Sequence, residues 1–177
     1  RDSTQAILED VGGVAIRGYR APSFSIDERS PWAHEVLAEL GYCYSSSVYP
    51  VKHDHYGVPD APRTPYKVAD GTLLEIPMTT LLLGERRLPS SGGGFFRLLP
   101  YGVSKWMLKR VNERDGMPAC FYMHPWEVDP DQPVQYQAPL KSRFRHYVNL
   151  SKTKSKLDRL LQDFRWSTVS AVYLEGG

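Results

Sequence analysis

No stretch of the 177-residue sequence stays apolar for long enough to cross a bilayer, and its first residues are not expected to act as a signal peptide. Charge of one sign is also missing. Lys and Arg total 22 against 20 Asp and Glu, a net charge of +2, so neither nucleic acid nor an anionic membrane is an expected partner. Cysteine is scarce. Cys43 and Cys120 lie far apart in apolar runs and lack metal-ligand spacing, so buried free thiols are expected rather than a disulfide. No repeat, low-complexity segment or linker is visible, and the length supports a single domain over 1–177 with a sizeable core. The sequence starts on Arg1-Asp2-Ser3, inside a predicted helix and without an initiator methionine, and is therefore expected to begin in mid-protein. Proline and glycine are plentiful, 14 of each, which predicts long shaped loops between short elements.

In chain order, Ser3 or Asp2 is expected to cap a helix to about Val11, ended by Gly12-Gly13. Val14 to Tyr19 predicts a strand. Ser30-Pro31 opens a helix whose apolar side is Trp32, Val36, Leu37 and Leu40, with His34 off that stripe as a surface or edge residue. Tyr42 to Val48 predicts a second strand, and the strand–helix–strand rhythm implies parallel pairing. Residues 49–66 form a loop holding His53 and His55, a weak candidate metal pair. Pro77 splits Gly71–Leu83 into two short pieces, with Glu75 either facing out or held at a barrel mouth. Ser90-Ser91-Gly92-Gly93-Gly94 lacks the lysine of a phosphate loop and is expected to be a turn. A helix to about Arg114 is expected to bury Val103, Trp106, Met107 and Val111. His146 is expected to be structural or on the rim. A further helix, capped by Ser151 or Thr153, carries Leu157, Leu160, Leu161 and Phe164, and Trp166 to Val172 predicts a closing strand.

Two stretches carry chemistry. Ala119 to Met123 predicts a short buried strand ending at His124, and Pro125 holds the histidine's backbone extended. An imidazole at the C-terminal end of a strand is placed for proton transfer near neutral pH. Trp126 and Glu127 follow with an aromatic face and a carboxylate. The other stretch is Arg20-Ala21-Pro22-Ser23-Phe24, again a charged side chain at a strand end before a stiff turn. Arg20 either pairs structurally with a carboxylate or orients a catalytic one.

These two motifs, in this order, resemble the polysaccharide deacetylases, the NodB-homology or carbohydrate esterase family 4 domain. The branch of that family found in bacterial exopolysaccharide gene clusters is the most similar. Phe144 to Leu150 and the helix after it look like that branch's C-terminal extension, here 140–177. The resemblance implies a distorted (β/α) barrel that hydrolyses N-acetyl groups from a polysaccharide or amino sugar. It also implies a divalent metal, usually zinc, held by one aspartate and two histidines, which activates water and polarises the carbonyl. By the same resemblance His124 is the catalytic acid and Arg20 orients the catalytic aspartate. The backbone N–H near Ser23 helps hold the oxyanion, and Phe24 and Trp126 line the sugar groove.

The first nineteen residues hold neither a histidine nor an aspartate pair, so the family's two metal motifs are missing and its aspartate-tryptophan motif has no counterpart. The expectation is an α/β fold, an incomplete deacetylase barrel covering the C-terminal two-thirds of such a domain. The parent would be a metal-dependent N-deacetylase, while this chain binds no metal and is inactive alone. Exposed sheet edges would favour self-association. The setting would be a soluble bacterial protein, cytoplasmic or periplasmic. One rival is a non-catalytic carbohydrate-binding or interaction module on the same fold. Another is a different metal hydrolase using His53, His55 and His124.

Overall fold

The computed structural model describes residues 3–53 and 56–175. The predicted Asp2 cap and His55 lie outside the described residues. The chain divides into two compact units, Arg1–Met78 and Thr79–Gly177.

The first unit contains α1 (Ser3–Gly12), β1 (Gly18–Tyr19), α2 (Trp32–Glu39), β2 (Tyr44–Ser45), β3 (Tyr66–Val68) and β4 (Leu73–Glu75). The strands form one sheet in the order β1-β2-β4-β3. β1, β2 and β4 pair in parallel, as the sequence rhythm predicts, and β3 joins β4 antiparallel. β3 falls at the end of a stretch expected to be loop. Its hairpin with β4 turns through Ala69, Asp70 and Gly71, all at positive φ, a turn that its flanking residues do not announce. β1 sits close against β2 because Gly18 has no side chain. A Cβ there would lie 1.9 Å from Cζ of Tyr44. Ala21, Ile26, Leu37, Tyr42 and Leu73 form the core. α2 is rotated from the expected face. Trp32 and Val36 are 60% and 42% exposed, while His34 and Leu37 point inward.

In the second unit β5 (Thr80–Leu83) and β6 (Arg86–Pro89) form an antiparallel hairpin, separated from β4 by Pro77 as expected. Five helices follow: α3 (Gly93–Leu98), α4 (Tyr101–Glu113), α5 (Leu140–Tyr147), α6 (Leu150–Asp163) and α7 (Val169–Tyr173). The expected glycine turn in fact opens α3. α4 buries Tyr101, Ser104, Met107, Leu108 and Val111, whereas Val103 and Trp106 are largely exposed. Phe96, Tyr101, Leu108 and Leu160 form a core with Leu157, Phe164 and Phe121 packed against it. Leu161, expected inside, is 52% exposed. α6 begins after Asn149 in the left-handed region (φ 54) rather than at a Ser151 or Thr153 cap.

Two predicted strands do not form. Ala119 to Met123 is half-buried extended chain with one parallel bridge, Tyr122 to Gly92. The expected closing strand is replaced by α7, nucleated where the Thr168 hydroxyl accepts the Ala171 N–H at 3.2 Å. Cys43 and Cys120 form no disulfide, and both are half-buried rather than buried. The class is mixed α/β, with no closed barrel among the described residues. No helix among them is long and apolar enough to cross a membrane.

Candidate functional site

His124 stands where the extended chain meets a 3₁₀ turn, Pro125–Val128. Its backbone is extended (φ −104, ψ 146), as a residue before proline must be, and its side chain is exposed. The Tyr122 hydroxyl lies 3.0 Å from its Nε2. A hydroxyl both donates and accepts, so Tyr122 can satisfy the imidazole with or without the ring proton.

Three residues on, the Glu127 carboxylate is 2% exposed. Its Oε1 accepts the His124 backbone N–H at 2.9 Å and its Oε2 accepts Nε–H of Arg97 at 2.8 Å. Arg97, on α3, is itself 3% exposed. Its Nη1 donates to the carbonyls of His146 (2.6 Å) and Val148 (3.4 Å), and its Nη2 to that of Arg145 (3.0 Å). Its guanidinium also lies 4.9 Å from the centre of the Trp126 ring. Two charges withdrawn from water cost several kcal/mol each unless their hydrogen bonds are met, and here the carboxylate and guanidinium are both met. Gly93 makes the room. A Cβ at that position would fall 2.1 Å from Oε1 of Glu127. Trp126 stacks on His146 at 4.1 Å between centroids and on His124 at 5.8 Å. His146 donates its Nε2–H to Gln132 Oε1 at 2.8 Å, in keeping with its expected structural place.

Arg20, Ser23 and Phe24 belong to the first unit. Arg20 is half-buried at the end of β1. Its Nη2 donates to the Ser46 hydroxyl at 2.7 Å, and its guanidinium sits 5.9 Å from the Phe24 ring centre. Ala21 is extended (φ −66, ψ 135), and the turn then passes through Ser23 and Phe24 with φ of 55 and 51. Left-handed backbone costs a non-glycine residue roughly 1–2 kcal/mol. Burial of Phe24 against Tyr49 (5.4 Å) and Tyr56 (5.7 Å) offsets that strain. Ser23 is exposed. The structure therefore gathers Arg20 and Phe24 in one unit and His124 and Trp126 in the other.

Beside the Arg20 turn lies a buried pair that overturns the surface or edge place expected for His34 and excludes the outward-facing alternative for Glu75. Glu75 is fully buried, and His34, expected at the surface, is buried with it. Oε1 of Glu75 accepts the N–H groups of Ser47 and Val48, both at 2.9 Å, and Oε2 meets His34 Nε2 at 3.1 Å. The Ser47 hydroxyl in turn accepts the Ala21 N–H at 2.9 Å, so the carboxylate braces the chain that carries Arg20.

Among the described residues, no three His, Cys, Asp or Glu side chains come together in a way that could hold a metal ion. His34 is engaged by Glu75, His53 stacks on Tyr56 at 4.0 Å, and His146 is engaged by Gln132. The described donors do not fit the metal implied by the sequence motifs. Arg97 escaped sequence reasoning because its carboxylate lies thirty positions away. Its apolar neighbours gave no signal, because adjacent residues on a helix face different sides and Leu98 is half exposed.

Residues 46–174 match the family model described as a domain of unknown function, DUF3473. That stretch is well over half of the chain. The chain belongs to this family. The DUF3473 match takes in Arg97, His124, Trp126 and Glu127, leaves Arg20, Ser23 and Phe24 outside it, and crosses the boundary between the two units. Nothing among curated proteins or solved structures matches the chain.

Proposed function

We propose that this chain is part of a metal-dependent hydrolase that removes N-acetyl groups from a polysaccharide or amino sugar, and that it supplies the acid side of the reaction. The observation that carries this function is the placement of His124. It is an exposed imidazole on an extended pre-proline backbone, with the Tyr122 hydroxyl at Nε2 and its own N–H gripped by Glu127. An amine leaves an amide poorly unless it is protonated as the C–N bond breaks. His124 would deliver that proton, and Tyr122 would hold the ring in register before and after transfer. Arg20, fixed by Ser46, would orient a carboxylate by charge-assisted hydrogen bonds. The resemblance of the Arg20 and His124 motifs to polysaccharide deacetylases supports the same function, with an incomplete barrel of that type as the scaffold and 140–177 as its extension. The divalent metal, by the same proposal zinc, would be held by parts of the parent protein outside the described residues.

The test is acetate release from N-acetylglucosamine oligomers and from acetylated polysaccharide. The isolated chain with added zinc is expected to release none. The parent protein is expected to release acetate, and to lose 10²–10⁴-fold in rate as His124→Ala, the usual worth of a positioned acid. Zinc-dependent turnover by the isolated chain, or an unaffected His124→Ala parent, would overturn the proposal. Glycan binding by the parent without turnover would favour a carbohydrate-binding module instead.

A further inference from the structure

We infer that Arg97 and Glu127 are positioning residues which tie the placement of His124 to the junction between α5 and α6. This rests on the acid role proposed for His124. Glu127 reaches the histidine through the backbone N–H, not the ring, so it sets where the strand end sits rather than how the imidazole titrates. Its other oxygen is committed to Arg97, whose Nη1 and Nη2 donate to the carbonyls of Arg145, His146 and Val148. The guanidinium is planar and its donors have fixed directions. A shift of the junction is therefore passed to the carboxylate and from it to the His124 N–H, with no rotatable joint in the guanidinium to absorb it.

Two further contacts close the same circuit. Asn149, at left-handed φ, donates Nδ2–H to the Arg97 carbonyl at 3.0 Å. His146, inside the gripped segment, stacks on Trp126, two residues past His124. A buried ion pair is by itself weak grounds for stability. What distinguishes this one is its wiring: one oxygen on the residue that bears the acid, the other on a cation that reads three carbonyls from the last turn of α5 and the residue after it. A misplacement of about 1 Å can cost on the order of 10²-fold in rate.

The experiment is NMR on the labelled 177-residue chain. Arg97→Lys keeps the charge and loses the fork. Asn149→Gly keeps the left-handed backbone and loses only the amide bond to Arg97. Both are expected to weaken the nuclear Overhauser contact between the Tyr122 and His124 rings and to speed hydrogen exchange at the His124 amide. The change should be tenfold or more for Arg97→Lys and smaller for Asn149→Gly, while the His34 amide in the other unit stays as in the wild type. Retention of the wild-type ring contact and amide protection in the folded variants would overturn the inference, whatever happens to the melting temperature. Should Arg97→Lys fail to fold, Asn149→Gly decides in the same way. In the parent, Arg97→Lys is expected to lower kcat about 10–100-fold with KM held. The NMR readouts need no acetyl substrate, so the inference and the deacetylase function can fail separately.

Discussion

The side chain most closely fitted to its surroundings here is one that is absent. Gly93 leaves the space filled by the Glu127 carboxylate, whereas a Cβ on its neighbour Gly94 would meet nothing within 4 Å. Alanine at the two positions should act in opposite directions. Gly93→Ala forces the carboxylate off Arg97 and is expected to cost about 1–3 kcal/mol, the range for an overfilled site. Gly94→Ala, in an open helical position, is expected to add about 0.5–1 kcal/mol. Urea unfolding of both variants checks this, and equal effects would remove the steric account. Single residues were also where the sequence was most and least informative. The extended backbones of Ala21 and His124 follow from the prolines after them, which is local chemistry. The pairs His34–Glu75 and Arg97–Glu127 depend on chain segments 41 and 30 positions apart, and no local pattern reports such a meeting.

Among the elements, α4 and α6 are joined at their polar margin as well as through their leucines. Tyr101, at the start of α4, donates its hydroxyl proton to Asp163 at the end of α6, and Lys105 pairs with the same carboxylate at 2.9 Å. The Tyr101 hydrogen bond, then that from Lys105, holds the Asp163 carboxyl below its ordinary 3.8. Burial, then Asp163 itself, pushes the Tyr101 phenol up to about 12. The folded chain thus binds the Asp163 proton less tightly than the unfolded chain does. That contribution is full above pH 3.8 and is lost as pH falls through the lower folded value. The folded chain binds the Tyr101 proton more tightly, so that contribution is full below pH 10 and is lost as pH rises toward about 12. The stability advantage of the wild type over Tyr101→Phe should therefore be level around neutrality and shrink at both extremes. Denaturant midpoints at acid, neutral and alkaline pH test it, and a pH-independent gap would sink it. Helix periodicity placed α2, α4 and α6 correctly in the sequence and put Leu37, Met107, Val111 and Leu160 inside, but it drew each buried face too far to one side. Trp32, Val36, Trp106 and Leu161 are apolar enough to suit a core, yet the inward positions went to His34, Ser104 and Thr153, whose polar groups are buried. Hydrophobicity alone does not signal that kind of burial.

At the scale of the whole molecule, the first 78 residues and the remainder are each compact, and the family match bridges them. Parallel strand pairing in the first unit was legible because a helix falls between two short apolar runs. The described residues form sheets of four and two strands and no closed barrel, and the incomplete deacetylase barrel expected from the resemblance stays with the proposed function. Within the second unit, the loop from Asp129 to Pro139 is largely exposed, while the helices after it are held by Arg97 and by Lys156, whose Nζ donates to the carbonyls of Phe96, Arg97 and Leu99. A specific protease site introduced between Pro133 and Gln137 should yield two pieces that travel together on a sizing column and part only in denaturant; immediate separation under native conditions would refute this. The hydrogen bonds from Arg97 to Arg145, His146 and Val148 also bear on synthesis. A nascent chain that has emerged only as far as Glu127 has the imidazole and its carboxylate in hand but lacks the carbonyls that fix the outer nitrogens of the guanidinium. The geometry at His124 can therefore settle only after residues 145–148 have cleared the ribosome, and a polypeptide stalled before them would carry the residue without its fixed position.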